Sequence, residues 1–167
     1  VTHISAATAS ISWAAWEKVK YGKASLVGMV TGTIAGLASI TPASGFVGPI
    51  EALIIGLIAG ILCQEGTIFI KKNINIDDTL DVFAVHGLGG IFGTIMISLL
   101  ALAGFENGSS FISQIGGILI VGVYTIVVTA ILILVIKQFV PLRVSEEIET
   151  EGLDLSEHGE KAYDFRS

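Results

Sequence analysis

Charged residues along the chain come in clusters, and the stretches between the clusters are long and apolar. No Asp, Glu, Lys or Arg occurs in residues 1–16, 24–50, 52–64, 82–105 or 107–136. A membrane-spanning helix needs about 20 mostly apolar residues, and three of these five stretches exceed that length. The pattern predicts helices at roughly 2–16, 25–43, 47–70, 80–104 and 111–139. The expected architecture is therefore all-α: a polytopic transmembrane bundle of about five spans over residues 1–140, followed by a polar tail over 141–167. Punctuation supports these limits. Thr41 precedes Pro42 and so is pushed out of the helical region, which ends the second helix. Pro49 suits the first turn of the third, and Glu51 then faces the positive end of that helix dipole as an interfacial residue.

Composition narrows the class. Of 167 residues, 52% are hydrophobic and 14% charged, with a mean hydropathy of +0.80. Soluble domains carry about 25% charged residues. A disordered chain is excluded, as is a disulfide scaffold, since Cys63 stands alone. A net charge of −6 excludes a basic nucleic-acid binder. The three histidines and one cysteine have no metal-ligand spacing, and neither a Ser/His/Asp set nor a phosphate loop is present; Gly87-Leu88-Gly89-Gly90 lacks the Lys-Ser/Thr of such a loop and lies in an apolar helix. No enzyme activity, cofactor or metal is expected. The first helix begins at Val1 without a cap, a charged flank or the basic stretch of a signal peptide. The expectation drawn from this is a C-terminal piece of a longer protein.

The basic residues fix an expected topology. Lys18, Lys20 and Lys23 follow the first helix, Lys71 and Lys72 the third, and Lys137 and Arg143 the fifth, with Lys161 and Arg166 in the tail. The links around Pro42–Phe46 and Gly108 have none. All nine thus fall on one side, which the positive-inside rule makes cytoplasmic, together with the C-terminus. Gly28, Gly32 and Gly36, Gly56 and Gly60, and Gly89 and Gly93 recur four residues apart, the pattern of tightly packed helices in lipid.

The fourth helix carries the candidate chemistry. His86 is its one ionisable side chain after Asp81. Ionisable groups inside a bilayer face a bundle interior or a water-filled path, although a histidine that merely bonds two helices fits equally well. A neutral imidazole offers one donor and one acceptor without the desolvation penalty of a fixed charge, which suits the lining of a path for a small polar molecule. Asp81 is about 500° around an α-helix from His86; with Asp77 and Asp78 it reads as a cap of the helix start. His3 reads as a packing residue and His158 as solvated. The tail holds eight acidic residues against three basic ones. It reads as a solvated end, with Leu153, Leu155, Tyr163 and Phe165 as anchors available for docking on the cytoplasmic face.

The runs GLASITPASGFVGP, ALIIGLIAGILC, DDTLDVFAVHGLGGIFGT and RVSEEIETEGLDLSEHGEKAY occur in this order between Gly36 and Tyr163, within a likeness that extends from about Gly28. With the motifs D-x-x-D-V-F-x-V-H-G-x-G-G and E-G-L-D-x-x-x-H-G-E, the chain resembles the ammonium transporter (Amt/Mep/Rh) family. The resemblance implies an eleven-span fold in the cell membrane, of which this chain would supply the end of span 7 through span 11. It implies that His86 is the second of two paired pore histidines, that Val82 lines the pore, and that Asp81 is a structural aspartate at the start of that helix. It further implies recruitment and deprotonation of ammonium, passage of ammonia through an apolar pore, a homotrimer, and docking of PII-type signal proteins at the cytoplasmic face. Glu51 and Ile148 depart from the family's usual residues. Two other readings compete with transport. One is an ammonium sensor signalling through its tail; the other is a structural membrane segment in which His86 only bonds its neighbours.

Overall fold

The computed structural model describes residues 1–74, 76–102 and 110–161. Helix α1 spans Thr2–Tyr21, α2 Leu26–Ile40, α3 Pro49–Phe69, α4 Gly89–Leu100, α5 Phe111–Ile136 and α6 Glu146–Glu151. Among the described residues three segments have π-helical geometry: Ile70–Ile74 continues α3, Phe83–Leu88 leads into α4, and Asp154–His158 follows α6. The chain divides into two compact units, Val1–Ile120 and Val121–Ser167.

In the first unit α1 packs against both α2 and α3, and α2 and α3 in turn meet α4. The contact is built from small residues. Ser5, Ala6, Ala9 and Ser12 are buried on α1. A Cβ on Gly36 of α2 would collide with the Ser5 carbonyl, and one on Gly56 of α3 with that carbonyl and the Thr8 hydroxyl. Ser5 Oγ donates to the Gly36 carbonyl at 2.9 Å, holding two helix backbones together. Ile40, Ala43, Val47, Ala52, Ile55 and Ile97 form one apolar cluster, and Trp13, Ala35, Cys63 and Val85 a second.

Helix α1 runs to Tyr21 rather than stopping near residue 16, because its polar end is tied down. Glu65 of α3 accepts from Trp16 Nε1 at 2.5 Å and Lys20 Nζ at 2.6 Å, and Glu17 accepts from the Ser25 amide at 2.7 Å. Gly22, at φ 77°, then ends the helix. Ser25 caps α2 by accepting from the Gly28 amide. Pro49 and Glu51 occupy the first turn of α3.

Among the described residues three helical segments are long and apolar enough to cross a membrane: Pro49–Ile74, Phe83–Leu100 and Phe111–Ile136. The expected second span is shorter, since α2 has 15 residues, about 22 Å at 1.5 Å per residue; turns over residues 41–46 replace its last helical residues. No residue of α5 is buried, and its sequence is apolar all around. His3, expected to pack, is exposed.

In the second unit the tail carries more order than a solvated end. Ser145 caps α6, and the Arg143 guanidinium pairs with the Glu149 carboxylate. Leu153, Leu155 and His158 are exposed. The link near Gly108, Tyr163, Phe165 and Arg166 lie outside the described residues.

Candidate functional site

The helix that carries His86 starts in an unusual way. Asp81 is the one non-glycine among the described residues with a positive φ, 58°. Asp and Asn tolerate this left-handed conformation better than other non-glycine residues. The bend ends the preceding loop and lets the next amides turn back on Asp78, whose Oδ1 accepts from the Val82 amide and Oδ2 from the Phe83 amide, both at 2.8 Å. The capping carboxylate is therefore Asp78. Asp81 had been expected to cap as well, but its side chain turns to Lys71 Nζ at 2.7 Å, and its carbonyl accepts from the Val85 amide at 2.9 Å. Lys71 sits on the π-helical end of α3, so the ion pair joins the end of one span to the start of the next.

From Phe83 to Leu88 the helix is π-wound, a local form that recurs at functional sites. Ala84 and Val85 are buried against the bundle, while Val82, Phe83 and His86 are exposed from this chain. His86 borders two open recesses. One, of about 420 Å³, is lined by Ile76, Asp77, Asp78, Val82, Phe83, His86 and Gly87. The other, of about 390 Å³, is lined by Ala38, Thr41, Pro42, His86, Gly90 and Thr94. The imidazole thus stands where two recesses meet, Val82 shares the first with it, and Asp81 lines neither. Among the described residues no hydrogen bond to the His86 ring is formed, so both ring nitrogens are available to a guest or to a partner group outside this chain.

Two features of the site were not evident from sequence reasoning. One is Lys71 as the partner of Asp81. The other is the pair of threonines beside His86. Thr41 Oγ1 donates to the Leu37 carbonyl at 2.6 Å and Thr94 Oγ1 to the Gly90 carbonyl at 2.8 Å. Each hydroxyl spends its proton on its own helix and keeps lone pairs for the recess. The helical spacing His86, Gly90, Thr94 was the available signal for Thr94. No group of three His, Cys, Asp or Glu among the described residues is arranged to hold a metal.

A sequence profile described as the Ammonium Transporter Family matches residues 1–163. The chain is 44% identical over 172 residues to "Ammonium transporter Amt1" of Archaeoglobus fulgidus, covering 98% of this chain and 43% of that protein. It is 41% identical over 174 residues to "Putative ammonium transporter" of Methanothermobacter thermautotrophicus, covering 98% and 43%. Among solved structures it is similar to "Sensor Amt Protein", with a TM-score of 0.83 and 31% identity over 93% of this chain and 40% of that one. It is likewise similar to Candida albicans Mep2, with a TM-score of 0.77 and 31% identity over 87% and 36%. The chain spans less than half the length of these relatives.

Proposed function

This chain belongs to the ammonium transporter family, and from that premise we propose that the intact protein moves ammonium across the cell membrane as ammonia, with His86 on the path. Coverage of about 43% of the relatives' length supports reading the chain as part of a longer protein, and the likeness of its motifs to the last spans and tail of the family is the ground for taking it as the C-terminal part. The single observation that carries the mechanism is the exposed imidazole at the junction of two recesses on an otherwise apolar helix.

The physics favours a neutral permeant. A bare cation in hydrocarbon costs several kcal/mol at the least, whereas an amine needs only replacement of its hydrogen bonds with water. A ring nitrogen of His86 accepts from an N–H of the amine, and Thr41 and Thr94 add acceptor lone pairs on one side. Val82 and Phe83 give the other recess an apolar wall beside His86, and the Asp77 and Asp78 carboxylates line the same recess. A second imidazole, supplied outside this chain, pairs with His86 and shares the proton that ammonium leaves behind. Asp81 serves structurally, at the start of the helix. The clustering of basic residues supports a cytoplasmic C-terminus. The intact protein assembles as a homotrimer, residues 1–140 forming its membrane part, and the tail over 141–167 is where a PII-type signal protein docks.

Uptake of labelled methylammonium by cells expressing the intact protein tests the reading. His86→Ala and His86→Asp are expected to change flux or selectivity about tenfold or more, within the range of a proton-transferring side chain. Uptake at the original rate by His86→Ala, at equal membrane abundance, overturns the pore assignment and leaves the structural reading. Similarity to the sensor Amt protein favours a second reading, in which the same bundle reports ammonium through its tail. That reading predicts negligible uptake together with an ammonium-dependent change in tail protection from proteolysis.

A further inference from the structure

We propose that Lys71 is a positioning residue for the His86 turn, acting through its ion pair with Asp81 to fix the register at which the π-wound helix begins. The inference rests on the reading of His86 given above. An ordinary surface ion pair contributes little, but this one differs in two respects. The Asp81 side chain is only 18% exposed, so loss of Lys71 leaves a largely shielded carboxylate uncompensated. Asp81 is also the residue held at φ 58°, a conformation that persists only where its surroundings enforce it.

The consequences run along the backbone. With Asp81 left-handed, the Val82 and Phe83 amides both reach the Asp78 carboxylate, and the Asp81 carbonyl receives the Val85 amide. Relaxation of Asp81 to a negative φ would break this set of contacts and restart the helix at another residue. A shift of one residue rotates a helical side chain by about 100°, enough to carry the imidazole away from the seam between the recesses. Lys71 lines neither of the two recesses that His86 borders. It acts from the end of α3, and so couples the third span to the orientation of His86 on the next.

Two measurements on the full-length protein test this. In the first, methylammonium uptake is normalised to membrane abundance. Lys71→Met is expected to lower it about tenfold and Lys71→Arg to restore most of it. Asp81→Asn, which tolerates the left-handed backbone but lacks the charge, is expected to match Lys71→Met. The double variant should be no worse than either single one. In the second, His86→Cys is introduced in a protein in which Cys63 and any other cysteine are replaced by Ala, and the rate of labelling by a small maleimide is followed. Adding Lys71→Met should change that rate severalfold, and adding Lys71→Arg should not. An unchanged labelling rate, or additive losses of uptake in the double variant, overturns the positioning role. Should labelling respond as stated while His86→Ala transports at the original rate, the turn is positioned by Lys71 but the pore assignment is wrong.

Discussion

Asp78 and Asp81 are three residues apart and chemically identical, yet the fold uses them for different tasks. Asp78 satisfies two free amides at the helix start, and Asp81 reaches across to Lys71. Losing a cap costs about 1 kcal/mol. Asp78→Ala should therefore lower the thermal unfolding midpoint of the detergent-solubilised protein; an unchanged midpoint would show that the two amides find other partners. The difference between the aspartates was not legible in the sequence. A left-handed Asp carries no marker comparable to a glycine, and Lys71 lies ten residues away, with no helical spacing to connect them. His86 stands out in the sequence, because one imidazole in a long apolar run is marked by its desolvation cost alone, and the structure sets it beside two recesses. His3 was misread for the opposite reason, since nothing in its neighbourhood distinguishes a packed face from an open one.

At the level of the helices, spacing foretold contact. The glycines four apart on α2 and α3 are the points where α1 comes closest, and a Cβ at Gly56 would overlap the Ser5 carbonyl and Thr8 hydroxyl. Overpacking of this kind costs about 1–3 kcal/mol. Gly56→Val should destabilise the protein by that amount in an unfolding titration, whereas Gly45→Ala, where an added Cβ meets nothing, should be close to neutral; a neutral Gly56→Val would contradict the close approach of α1 and α3. The helices were located by their uncharged runs, but two of their features were hidden. The continuation of α1 to Tyr21 depends on Glu65, nearly fifty residues later, which no local pattern reveals. The π-winding of Phe83–Leu88 arises from how the helix is started and packed, and propensity does not encode it.

For the molecule as a whole, the one-sided placement of basic residues is the basis of the proposed topology, and the tail is where the proposed control is tested. Arg143 donates to Glu149 and holds that carboxyl below its ordinary value of 4.5. A carboxyl shifted downward in the folded state stabilises at pH above its unfolded value and loses that contribution as pH falls through the folded one. Amide NMR signals of α6 should therefore stay constant from neutral pH down to the ordinary carboxylate range and change only below it, and in Arg143→Ala the change should begin at higher pH; onset near neutrality in the original protein would deny the pairing. Deletion after Val140 should lower uptake per inserted molecule without preventing insertion, as read by transport normalised to membrane abundance; undiminished transport would separate the tail from activity. The claim on which the rest depends is that the His86 ring meets the permeating amine. Its most direct test is the initial rate of methylammonium entry into proteoliposomes holding the purified full-length protein or its His86→Ala variant at matched density. The account predicts a rate about tenfold or more away from the original for the variant, and two identical rates would contradict it.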